Sequence, residues 1–262
     1  MKFLGIDLGW QSGASGLCCL DWQQGVLVLA DLQCQASVDE ILSWVDHWTR
    51  GESTAVIAVD APTLIPNETG MRLPDRLAHK HFGKYDAGCY PANQGRPFAQ
   101  RLIEFGLALE ARGFQHCPYS VAQPVGRFQL EVFPHPAIVH LFGLTRILKY
   151  KKGRLADRRA ELTKLRQYQL TVLPTLEPSL PLAATDLPEI PERNSALKAV
   201  EDQLDSLMCA YVAAHWWVWG CGRIPTEPSA PFEKSDRNWV LGNCQEGYLV
   251  VPAPRPNPSL SG

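Results

Sequence analysis

Nothing in the sequence marks a route out of the cell or into a membrane. No charged leader with an apolar core precedes the first strand-like segment, so the expected location is the cytoplasm. The longest apolar stretch, Leu207 to Trp219, contains His215 and is too short to span a bilayer. The eight cysteines (Cys18, Cys19, Cys34, Cys89, Cys117, Cys209, Cys221 and Cys244) include no C-x-x-C pair, which argues against a disulfide framework or a zinc ribbon and for reduced, buried thiols. An excess of one charge is missing too. The 25 Lys and Arg face 27 Asp and Glu, a formal net charge of -2, so any polyanion must be met by a local basic patch.

What is present is enough apolar residue for a full core, 45% of 262. Lys2 to Asp7 reads as a buried strand. Ser15 to Leu20 and Val26 to Leu32 follow through short turn sequences, which predicts an antiparallel meander. Ile41, Leu42, Val45 and Trp48 recur at helical spacing in Val38 to Arg50, and the apolar strand "TAVIAV" then ends at Asp60. A helix between two buried strands implies a parallel crossover. A further strand is expected over Phe128 to Phe133, stopped by Pro134, with helices over Phe98 to Ala111, Leu155 to Leu170 and Ser195 to Trp219. Residues 61–93 and the proline-rich 173–193 read as irregular insertions in a single domain spanning 1–251, with a disordered tail over 252–262.

The chemistry lies in the placement of the acids. Asp7 ends the first strand, between glycines and after an apolar run, where an ionised carboxylate is costly without a partner. Asp60 ends the fourth strand, Glu131 sits on the fifth, and "EDQLD" puts Glu201, Asp202 and Asp205 within little more than one helical turn. In an open α/β sheet the ligand crevice lies beyond the carboxyl ends of the strands, where Asp7 and Asp60 fall. Carboxylates gathered there must either rise in pKa or be neutralised by cations, and oxygen-only donors favour Mg²⁺ or Mn²⁺. Two such ions would clamp the attacking and leaving oxygens of an in-line phosphoryl displacement.

Together, "GIDLGW", "IAVDAPTLIPNETG", "LEVFPHPA", "KYKKGR" and "EDQLDSLMCAYVA" resemble a bacterial family of unknown function, DUF429, whose members are regarded as nucleases of ribonuclease H-like fold. The likeness runs from about Phe3 to Trp219. It implies an α/β fold with a five-stranded mixed sheet, three antiparallel strands followed by two parallel ones. It further implies a site like that of RuvC-type resolvases: a first-strand aspartate, a fourth-strand acid and a late-helix acidic pair, here Asp7, Asp60, and Asp202 with Asp205. Glu131 falls in a family motif and joins the candidate catalytic residues, and Glu201 joins the candidate metal ligands. Ser206 stands where the pattern has alanine.

The only dense basic run, Lys149, Lys151, Lys152, Arg154, Arg158 and Arg159, is the candidate nucleic-acid contact, for DNA or RNA alike. Arg72, Arg76 and Lys84 could also reach a phosphate. The function expected is thus a metal-dependent nuclease, with self-association left open. A non-catalytic binding module of the same fold is the main alternative. An actin-like or sugar-kinase-like ATPase would also begin with a loop like "GIDLGWQSGASG", but "VDAPT" lacks the glycines of a second phosphate loop.

Overall fold

The computed structural model describes residues 1–11, 13–221 and 236–255. Its main sheet has six strands in the order β3-β2-β1-β4-β6-β5, formed by β1 (Lys2–Asp7), β2 (Ser15–Gln23), β3 (Val26–Gln35), β4 (Ala55–Val59), β5 (Gln115–His116) and β6 (Arg127–Glu131). Strands β1, β2 and β3 pair antiparallel, whereas β4, β6 and β5 continue in parallel from β1. This is the mixed sheet the resemblance implies, extended from five strands to six by the two-residue β5. Strand β4 is buried along its whole length and apolar on both sides, as a central parallel strand must be.

Side-chain alternation divides the core in two. Leu4, Ile6, Ile57 and Val59 pack with α1 (Val38–Trp48) and α3 (Ala99–Glu110) on one face. Phe3, Val56, Ala58, Leu130 and Val132 face α6 (Asn194–Trp219) on the other. Helix α1 starts at a capping box, in which the Ser37 side chain accepts from Glu40 N–H while Glu40 accepts from Ser37 N–H.

Helix α6 approaches the sheet unusually closely because β1 and β2 present glycine to it. A Cβ on Gly5 would overlap the backbone of Ser206 and Ala210, and one on Gly16 would overlap the Asp202 carbonyl. The two glycines therefore set the distance at which Asp202 and Asp205 stand from the strand ends. Gly16→Ala is expected to push α6 outward and to destabilise the fold by about 1–3 kcal/mol. The check is a thermal melt paired with a metal titration, since the displacement also spreads the carboxylates.

Residues 61–93, expected to be irregular, contain α2 (Leu73–Phe82) and a short 3₁₀ turn, Gly83–Tyr85. The polar sequence of α2 hides an amphipathic face, since Leu77, Ala78 and Phe82 join the core. Pro134 stops β6 as expected, but it also opens α4 (Pro134–Phe142), where prolines in the first turn remove no helical hydrogen bond. Helix α5 (Leu155–Val172) follows, and 173–193 is irregular apart from two 3₁₀ turns.

A hairpin of β7 (Asn238–Asn243) and β8 (Gly247–Pro252) was not anticipated; it docks beside β6 through a Val132–Val250 bridge. Pro252 closes β8 and Ala253 N–H donates to the Arg237 carbonyl, so the disorder expected from 252 does not hold for these two residues. The rest of that tail, 256–262, lies outside the described residues. No disulfide joins the described residues, but only Cys18, Cys19 and Cys209 are fully buried. No helix among the described residues is long and apolar enough to cross a membrane.

Candidate functional site: a carboxylate cluster held by lysines

Parallel pairing of β1 with β4 aligns Ile6 with Val59, and Asp60 N–H donates to the Ile6 carbonyl at 2.8 Å. Asp7 and Asp60 therefore end neighbouring strands side by side, on the face that α6 covers. One turn apart on α6, Asp202 and Asp205 are both buried against those strand ends. Asp7, Asp60 and Asp202 line an open cavity of about 720 Å³, while Asp205 is wholly buried behind it.

The positive charge comes from the loop between α4 and α5. Lys151 turns inward, its Nζ 2.7 Å from Asp205 Oδ2 and 3.9 Å from Asp60 Oδ2. The buried hydroxyl of Tyr150 donates to Asp205 Oδ1 at 2.6 Å. Lys198, one turn before Asp202 on α6, pairs with Asp202. Burial is the main force raising the Asp7 pKa well above the usual carboxylate range; Lys151 opposes it and the neighbouring aspartates reinforce it. Burial likewise raises Asp60, to about 6, and Asp202 shifts upward. Surrounded by these acids, Lys151 is held well above its ordinary pKa despite its own burial.

With all four aspartates ionised, as a bound cation would require, two lysines leave an excess of two negative charges, and the buried Asp7 Oδ2 receives no hydrogen bond. The donors are all hard oxygens, so in charge and chemistry the cluster fits one divalent ion such as Mg²⁺ or Mn²⁺. Among the described residues no group of three His, Cys, Asp or Glu is arranged to hold a metal, the lysines having taken carboxylate oxygens a cation would use.

An upward-shifted acid weakens the fold as it ionises. Stability drawn from neutral Asp60 is present below the unfolded pKa near 3.8 and is lost as pH rises through about 6. In metal-free protein, Asp60→Asn is accordingly expected to gain on wild type in melting temperature as pH rises from 4 to 7, on the order of 2 kcal/mol in all. Melts at stepped pH in EDTA check this; a constant difference contradicts it.

Of the other candidates, Glu131 lines the same cavity but is held by a different partner, and Glu201 does not reach it. Glu131 is in register with Val59, so it projects from the opposite face to Asp60. There both its oxygens accept from Arg72, each at 2.7 Å, and Arg72 Nη2 also donates to Asp75 Oδ1 at 2.8 Å. Burial pushes Glu131 up to about 7 against the pull of Arg72. Glu201 points toward α5 and accepts from Arg158 Nη2 at 2.6 Å, outside the cavity.

The basic run is dispersed in the same way. Arg158 is spent on Glu201, Asn194 and the Tyr150 carbonyl, Arg159 donates to the Pro191 carbonyl, and Lys151 serves the aspartates. Lys149, Lys152 and Arg154 stay exposed, Lys149 in a surface pair with Asp86 at 3.1 Å. Of the remaining sequence candidates, Arg72 is buried in its ion pairs rather than free for phosphate. His135 lines the cavity, its pKa depressed by burial to about 4. Lys198 was the missed partner, and its signal was simple: a lysine four residues before an aspartate on a predicted helix.

Among solved structures, T. thermophilus RuvC in complex with Holliday junction substrate aligns with 82% of this chain and 97% of that chain, at 14% identity and a TM-score of 0.32. No curated protein matches the sequence. The profile of the protein family of unknown function DUF429 matches residues 5–230, from the first strand through the helix that carries Asp202 and Asp205. The chain belongs to that family.

Proposed function

We propose that this protein is a divalent-metal-dependent nuclease that hydrolyses phosphodiester bonds of cytoplasmic nucleic acid. The observation that carries this reading is the convergence of Asp7, Asp60 and Asp202 on one open cavity, where two lysines face four aspartates. These three carboxylates would hold Mg²⁺ or Mn²⁺ once the lysines release them. The metal, when bound, supplies Lewis acidity and an activated water at neutral pH.

The chain's own residues do the rest. Asp205, fixed by Tyr150 and Lys151, sets the electrostatics behind the ligands. Lys198 has a side chain 65% exposed at the cavity wall and can meet a phosphate once it leaves Asp202. Lys149, Lys152 and Arg154 are free to contact the nucleic-acid backbone, which positions a strand without reading its sequence. The charge balance supports one ion with Lys151 as the second cation, in place of two ions.

The non-catalytic module is a second reading, favoured by one observation: the lysines already pair with the carboxylates. Calorimetry with Mn²⁺ and a cleavage panel of single-stranded, duplex and branched DNA and RNA separate the two. The nuclease reading expects metal binding and metal-dependent cleavage, both removed by Asp7→Asn. Salt-sensitive binding with neither property supports the module.

A further inference from the structure

The carboxylate cavity is lined in part by Tyr90 and Trp10, to which the metal chemistry gives no task, and Arg96 stands beside Tyr90. Tyr90 lines the cavity and is 57% exposed, a large ring left in water. It is nevertheless held in place. Its ring stands 6.1 Å from Phe98 and 6.5 Å from Trp10, both edge-on, and the Arg96 guanidinium lies 5.1 Å from its centroid. Trp10 packs on Phe98 at 4.8 Å and donates its indole N–H to the Asp60 carbonyl at 3.1 Å. The aromatic group is thus tied directly to the backbone of a cavity carboxylate.

Arg96 adds the charge. Among the described residues it makes no ion pair, and its Nε is buried without a hydrogen-bond acceptor. A core strut would bury Tyr90 and pair Arg96; this arrangement exposes the one and leaves the other cationic and unpaired. An exposed ring beside an unpaired cation supplies the elements of a subsite for a base and its phosphate, since every base has a π-face and every nucleotide an anion. In a duplex those faces are stacked away, so the ligand must offer an unpaired nucleotide. A cavity of about 720 Å³ is of the size that takes a small ligand of this kind.

We propose that Tyr90, supported by Trp10 and Arg96, forms a stacking subsite for an unpaired nucleobase next to the carboxylate cluster, giving the protein a preference for single-stranded or flipped-out nucleotides. The inference rests on the nucleic-acid reading of the cavity and names the substrate form that reading leaves open.

The test measures binding by the full chain, in EDTA at low salt, of a fluorescent single-stranded oligothymidylate, a blunt duplex, and a strand of equal length in which abasic sites replace the bases. Wild type, Tyr90→Ala and Tyr90→Phe are compared, with thermal melts confirming that the exposed position leaves the fold intact. Expected is tighter binding of the base-bearing strand than of duplex or abasic strand. Tyr90→Ala should weaken that strand about tenfold, in line with stacking contributions measured by alanine substitution, and leave the abasic strand unchanged. Tyr90→Phe should retain wild-type affinity. If Tyr90→Ala lowers base-bearing and abasic affinities alike, or neither, the subsite is wrong even where metal-dependent cleavage is observed. If no strand binds and none is cleaved, both the subsite and the nuclease reading fall.

Discussion

Asp7→Asn is expected to lower metal-dependent phosphodiester cleavage by about a thousandfold or more while leaving the melting temperature unchanged or higher. The change is isosteric and removes from the cavity wall one donor oxygen and the negative charge that Asp7 would carry beneath a bound cation. A metal held there stabilises several kcal/mol of transition-state charge, and each 1.36 kcal/mol is a factor of ten. Stability runs the other way. Burial already raises the Asp7 pKa strongly, so ionising it costs the folded state, and a neutral amide escapes that cost. Cleavage assays and melts on the same preparations check both halves. Retained cleavage would mean the metal chemistry does not run through the end of β1.

A second large effect is expected away from the cluster. Arg72→Ala should destabilise the protein by about 3–5 kcal/mol, the usual result of removing one partner from a buried ion pair. For a chain of this length that is a fall of about 10 °C in melting temperature. Arg72 is 3% exposed and serves Glu131, Asp75 and the Leu64 carbonyl at once, so its loss strands two buried carboxylates. The deficit has a pH signature. With the guanidinium gone, Glu131, already raised to about 7, rises further, so protonation relieves the strain and the gap to wild type narrows toward pH 5. A drop under 2 °C, or a deficit independent of pH, would show that the triad is not the tie it looks to be. Because Arg72 draws the end of β6 to the start of α2, its role is structural and at the cavity's edge.

Much of the sheet was legible in one dimension. Strands β1 and β4 are apolar runs closed by aspartate, α1 and α6 show helical spacing, and short turns set the meander. Helix α2 was not legible, because its core face consists of three apolar residues set among charges. Strand β5 is too short to carry a pattern. Hairpin β7–β8 alternates weakly, since every residue of β8 is buried.

The sequence by itself determined which chemistry could gather at the strand ends: hard oxygen donors, no soft ligands, and aspartates placed by local pattern at the ends of β1 and β4 and on one face of α6. Those are local facts, fixed by periods of 2 and 3.6 residues. Only the tertiary structure decided the cationic partner of those acids. A run of basic residues reads as a surface patch whichever way its side chains turn, and packing of Tyr150 into the core is what carries Lys151 inward onto Asp205 and Asp60. Register decided Glu131 in the same way: paired with Val59, one residue before Asp60, it projects from the face opposite Asp60. Pairings of that kind join residues far apart in sequence, and they follow from strand register and helix approach, which no local pattern encodes.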